Sequence, residues 1–183
     1  MGNVYILLAR GFEESEAIVP ADILKRAGAN VYLVSVEGSK TVTGSHGFTI
    51  ETDITMDGIK KDETECIVLP GGGLGTEILG KNSRVLSLIE FAVSRGIFVG
   101  AICAAPSILG KMRLLDGRNA EVYPSFEDSL KYANITGKKV EHDDIFITAE
   151  GMGVSFEFGF ELVKLLFGLE KAEELKNTVR FDG

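Results

Sequence analysis

Short apolar runs that do not alternate with polar residues constrain this chain most. Val4–Ala9, Val31–Val36, Cys66–Leu69, Ile97–Ile102 and Ile145–Ala149 fit strands buried on both faces. Helical spacing fills the segments between them. Ala17, Ala21, Leu24 and Ala27 mark one helix ending at Gly28, and Pro20 leaves Glu13–Val19 as either its first turn or a kinked lead-in. Val85, Leu88, Ile89 and Ala92 mark a second helix that Gly96 ends. Ala104–Leu109 is a short third, and Ser155–Phe167 is an apolar fourth closed by Gly168. Thr41–Ile54, broken by Gly44 and Gly47, reads as a hairpin excursion. This alternation predicts an α/β fold in three layers, with a mostly parallel sheet covered on both faces. Ligands in such folds bind beyond the carboxyl ends of the strands. Ala9–Glu16, Pro70–Gly75 and Cys103–Ala105 are therefore the places to look.

The 183 residues suit one domain spanning 1–183. A net charge of -8 argues against nucleic acid or an anionic membrane as partner, because both need clustered positive charge. The apolar start lacks a basic flank and is too short for a signal segment or a span, so a cytoplasmic home is expected. Only two cysteines, Cys66 and Cys103, are present, with no C-x-x-C, so neither a disulfide framework nor a zinc ribbon is expected. His46 and His142 are isolated and read as exposed loop residues. Neither a metal site nor a cofactor is expected.

Gly75–Lys81 fits G-x-x-x-x-G-K, but Asn82 stands where Ser or Thr must ligate magnesium, and Glu77 would repel phosphate. The dinucleotide fingerprint fails as well, since Thr76 occupies its third glycine position. Gly100-Ala101-Ile102-Cys103-Ala104-Ala105-Pro106 is more informative. It places a thiol where a buried strand turns into a helix, with small neighbours that permit a nucleophile elbow. Helix amides at such a turn are expected to lower the thiol pKa. The Ala104 amide and a glycine amide from Pro70–Gly73 can together hold an oxyanion. Cys66, inside an apolar run, reads as core. One of Glu13, Glu14 and Glu16 can reach Cys103 if the first strand neighbours the strand that carries it; spacing does not say which. No histidine adjoins Cys103, which weakens a Cys-His hydrolase reading.

The chain resembles the ThiJ/PfpI superfamily, in its branch of YajL-like and Parkinson-disease-linked protein deglycases. The resemblance covers nearly the whole length. It rests on Ala9–Glu16 with Pro20, on Leu69–Gly75, on Ala101–Pro106 and on Gly151–Phe158. It implies a flavodoxin-like fold with Cys103 as elbow nucleophile, Glu16 as the proton-sharing carboxylate, and Gly72 and Ala104 as the oxyanion amides. Where deglycase members often carry a His before a Pro, this chain has Tyr123-Pro124, so Tyr123 is at most a group that orients a substrate oxygen. The resemblance also implies a homodimer, with His46 at the position that reaches the partner's site. The function it implies is a cofactor-independent glyoxalase acting on a small carbonyl substrate such as methylglyoxal or glyoxal, extending to protein deglycation. The alternative is an oxidative-stress sensor or redox-regulated chaperone working through Cys103 oxidation without turnover. A peptidase or amidase ranks third, for want of a His after Cys103.

Overall fold

The apolar runs assemble into one seven-stranded sheet in a computed structural model that describes residues 2–182. In chain order the strands are β1 (Asn3–Leu8), β2 (Asn30–Ser35), β3 (Thr41–Thr43), β4 (Thr49–Glu51), β5 (Ile54–Thr55), β6 (Thr64–Leu69), β7 (Phe98–Ile102), β8 (Asn119–Ala120), β9 (Asn134–Ile135), β10 (Val140–Asp143) and β11 (Phe146–Ala149). The helices are α1 (Glu14–Ala27), α2 (Gly73–Lys81), α3 (Ser83–Ser94), α4 (Pro106–Lys111), α5 (Ser155–Phe167) and α6 (Leu169–Thr178). The sheet order is β10-β11-β7-β6-β1-β2-β5. Every pairing is parallel except the edge pair β10–β11. Counting only β1, β2, β6, β7 and β11, the order is 2-1-3-4-5, the flavodoxin-like arrangement. Among the described residues, no helix is long and apolar enough to cross a membrane.

Both faces of the sheet are covered, which is why the strands carry no polar alternation. Val4, Ile6 and Leu8 of β1 pack with Cys66 and Val68 of β6 beneath α1, α5 and α6. Tyr5 and Leu7 pack with Ile67 and Leu69 beneath α2, α3 and α4. Burying both sets of side chains removes them from water at roughly 25 cal/mol per Å², so a polar residue on either side of these strands would be costly. Two glycines let layers approach closely. A Cβ at Gly100 would lie 2.9 Å from Phe158 Cζ, and one at Gly159 would lie 2.8 Å from Ile23 Cδ1.

Several elements differ from the sequence expectation. Helix α1 begins at Glu14, with Glu13 as its N-cap, and runs on through Pro20, so of the two readings of Glu13–Val19 the start of the helix itself is the one that holds. Pro20 has no N–H to give the Glu16 carbonyl four residues back. Helix α4 starts at Pro106 rather than Ala104, because the two residues after Cys103 form the turn. Gly75–Lys81 is no loop of any kind but most of α2. His142 lies in edge strand β10, where its exposed ring Nε2 sits 2.7 Å from the Asp144 carbonyl, and not in a loop. The hairpin forms as β3 and β4, with His46 at its exposed tip.

Candidate active site

The carboxyl ends of β1, β6 and β7 meet at the switch point of the sheet, and each delivers one part of the site. From β7 the chain enters the elbow. Cys103 has φ 64°, a left-handed conformation that costs a non-glycine residue about 1–2 kcal/mol. Two hydrogen bonds hold it there. Its N–H donates to the Ala149 carbonyl at 2.9 Å, and its carbonyl accepts from the Tyr123 N–H at 2.8 Å. The side chain is half-buried, unlike Cys66, which is fully enclosed and whose thiol burial pushes up to about 12. Cys66 is core, as its sequence context indicated.

Strand β6 supplies Gly71 and Gly72. The Gly72 backbone is left-handed at φ 88°, and a Cβ there would lie 2.7 Å from the Glu13 nitrogen, so only glycine fits. The Gly72 and Ala104 amides lie near enough to the Cys103 sulfur to pull its pKa down. From the loop after β1 comes the first turn of α1, which sends Glu16 inward while Glu13 and Glu14 stay near the surface. Geometry thus singles out Glu16, which spacing could not. Strand β1 does not neighbour β7, however; β6 runs between them. The carboxyl reaches Cys103 across the end of β6 because Gly71 has no side chain. A Cβ at Gly71 would lie 2.6 Å from Glu16 Oε2 and 2.7 Å from Cys103 Cβ. The Gly71 N–H donates to Glu16 Oε2 at 2.8 Å. Glu16 Oε1 is buried and forms no hydrogen bond, while the Cys103 thiol lies near enough to the carboxyl to pull its pKa down. Such contacts commonly tighten only when substrate is bound.

The electrostatics correct one expectation. Burial pushes the Glu16 carboxyl up to about 7, against the lowering pull of the Gly71 N–H and the thiol. Burial and then the neighbouring Glu16 charge push the Cys103 thiol up to about 12, outweighing the Ala104 and Gly72 amides. The helix-end amides therefore do not produce a lone low-pKa thiol, because desolvation and a carboxylate oppose them. The two groups therefore titrate as a coupled pair whose first proton leaves near neutrality.

A cavity of about 380 Å³ opens over this pair. Gly72, Ala104, Tyr123 and His46 all line it with Cys103 and Glu16, so these six candidate residues come to one place. His46 stands at the mouth, pinned to Glu14 by its ring (Nδ1 to Oε2, 3.0 Å) and by its backbone N–H (2.8 Å to Oε1). Burial alone would raise Glu14, but these bonds take it down to about 2, and they raise the pKa of His46. Glu13, Glu14 and His46 are the one group among the described residues with metal-ligand spacing. Their mutual ion pairs and hydrogen bonds already account for that clustering. Phe126 and Met152 also line the cavity and were not foreseen. Met152 lies within Gly151–Phe158, one of the segments that carry the resemblance, whereas Phe126 carries no sequence signal. Gly71 makes the close approach that the glycines of Pro70–Gly75 permit.

The DJ-1/PfpI family model matches residues 2–165. Protein dj-1beta of Drosophila melanogaster is 35% identical over 175 residues, covering 94% of each chain. The deglycase PH1704 of Pyrococcus horikoshii is 34% identical over 171 residues, covering 90% of this chain and 99% of its own. Among solved structures, oxidized Toxoplasma gondii DJ-1 matches with a TM-score of 0.93 and 28% identity over the whole of both chains. With its elbow, its glycine turn and its inward carboxyl in one cavity, the chain belongs to the DJ-1/PfpI family.

Proposed function

We propose that the protein is a cofactor-independent glyoxalase acting on methylglyoxal or glyoxal, with Cys103 as nucleophile and Glu16 as proton shuttle. The observation that carries this reading is the buried carboxyl, with its pKa near 7, against a sulfur faced by two backbone amides. Moving the thiol proton from sulfur to Glu16 yields the thiolate. The thiolate adds to the aldehyde carbon, and the carbonyl electron pair becomes an oxyanion held by the Gly72 and Ala104 amides. That oxygen takes the Glu16 proton, giving a hemithioacetal. Glu16 then removes the proton from the former aldehyde carbon, giving an enediolate, and returns it to the adjacent carbon, while the hydroxyl proton of the former aldehyde oxygen passes to the former ketone oxygen, leaving a 2-hydroxy thioester. Water hydrolyses the thioester, releasing the hydroxy acid and restoring the thiol. Tyr123, in the cavity lining, can orient the ketone oxygen. Deglycation of proteins, suggested by the name of the Pyrococcus relative, would begin with the same adduct.

The test is lactate formation from methylglyoxal by the wild type, Cys103→Ser and Glu16→Gln. Lactate from the wild type alone supports the reading, and none above background from the wild type overturns it.

One observation favours a second reading, a redox sensor. Glu16 Oε1 lacks a partner, and once protonated it can donate to an oxygen on sulfur. Two equivalents of peroxide, each reduced to water or hydroxide, would carry Cys103 to a sulfinate. Intact mass after mild peroxide should show two oxygens on Cys103 and none on Cys66; equal oxidation of both counts against it. We also propose a homodimer, supported by the family and by Ile18 and Phe48, which are exposed beside the site-bearing α1 and hairpin. Light scattering at one-chain mass would refute that.

A further inference from the structure

Gly72 and Ala104, whose amides act on the Cys103 sulfur, each lead into a helix, α2 from Gly73 and α4 from Pro106. A second cavity, of about 530 Å³, lies along these two helices. On α2 it is lined by Gly73, Glu77 and Gly80, spaced by four and then three residues, and on α4 by Ile108, Lys111 and Met112. One face of each helix therefore borders it. Gly73 and Phe126 stand in the walls of both cavities, so the groove starts where the cavity over Cys103 ends. A helix rises about 1.5 Å per residue, so from Gly73 to Lys81 the groove runs roughly 12 Å along α2.

Its walls are mainly apolar. Ile108 is buried, and Leu86, Met112 and Phe126 are half-buried at the margin of the core. Gly80 adds room, because a Cβ there would stand 3.4 Å from Ile108 Cγ1. Charge gathers toward the end remote from Gly73. Lys81 holds Glu77 at 2.6 Å, and Lys81 and then Lys111 lower the pKa of that carboxylate. Two cations about one anion leave this end of the groove positive.

We infer that the groove holds the body of a carbonyl substrate larger than methylglyoxal, an apolar chain that ends in a carboxylate, with its reacting carbon at Cys103. The chain covers Leu86, Ile108 and Met112, and the carboxylate lies beside Lys111. A chain ending in an ammonium would meet two lysines, and methylglyoxal, having no chain, leaves the groove empty. The inference takes its reaction from the glyoxalase reading, but filling the groove does not require turnover.

The test therefore reads alkylation of Cys103 instead of product. Cys66 is fully buried, so intact mass reports Cys103. Iodoacetamide, N-hexyl iodoacetamide and iodoacetamidohexanoate are compared on the full chain, each rate divided by its rate with glutathione. In all three the thiolate displaces iodide from the same carbon, and only the tail differs. The hexyl reagent should react about tenfold faster than iodoacetamide, and the hexanoate about threefold faster again. Lys111→Gln, at an exposed position, should remove the advantage of hexanoate over hexyl. Met112→Ala should slow both tailed reagents about threefold and leave iodoacetamide unchanged. Tailed reagents no faster than iodoacetamide, or gains unchanged in either variant, would overturn the inference. Methylglyoxal turnover on the same preparations reports the glyoxalase reading separately: its absence beside intact tail effects would overturn that reading and leave the groove assignment standing.

Discussion

At the residue scale Glu16 is the side chain on which the site depends. Helix α1 sends it beneath the loop, and the Gly71 N–H fixes one oxygen while the other faces sulfur. A carboxyl whose folded pKa is raised from 4.5 to about 7 binds more protons folded than unfolded between those values. Its effect is therefore to lower stability as pH rises through that window, by on the order of 3 kcal/mol once fully ionised. Glu14, held down to about 2, works in the opposite sense, but only below its unfolded value. The Glu16→Gln variant cannot ionise. Urea unfolding at pH 5 and pH 8 should show it gaining on the wild type by about 2–3 kcal/mol between the two. A difference that does not change with pH would mean that Glu16 is not protonated by burial.

At the element scale, the turn at the end of β6 sets the distance between carboxyl and thiol. Gly71→Ala would put a methyl 2.6 Å from Glu16 Oε2 and 2.7 Å from Cys103 Cβ. The strand itself is unaffected, so the change should cost about 1–3 kcal/mol of stability. Methylglyoxal turnover should fall by about a hundredfold, since a misplacement of about 1 Å is that costly. Retained turnover would show that the close approach is not needed. Much of the element pattern was legible in the sequence because it was written in apolar residues. The β1, β6 and β7 runs and the Gly-Ala flanks of Cys103 declared a parallel sheet with an elbow. Strand β10 was not legible, because Val140–Asp143 is a charged edge segment with little apolar signal. Helix α2 was hidden by Gly73, Gly75 and Gly80, which resemble a loop. Helix α6 is mostly charged and buries only Ala172 and Leu175. The choice among three glutamates was settled within the structure by the path of α1 over Gly71, which no spacing rule contains.

At the scale of the whole molecule, the strand order places the ends of β1 and β6 at the switch point, with β7 beside them. The first strand reaches the elbow across its neighbour instead of lying against it. That arrangement leaves one buried pair, faced by two amides, beneath a single cavity. The chain's net charge of -8 sets no barrier to a small neutral carbonyl compound entering it. The central claim is that Cys103 and Glu16 titrate as a coupled pair across neutrality. The most direct measurement is the rate of Cys103 alkylation by iodoacetamide from pH 5 to pH 10, in the wild type and in Glu16→Gln. A rise centred near pH 7 is expected in the wild type and should disappear in the variant, leaving only titration of the thiol itself. A wild type without that rise, or the same profile in both proteins, would contradict it.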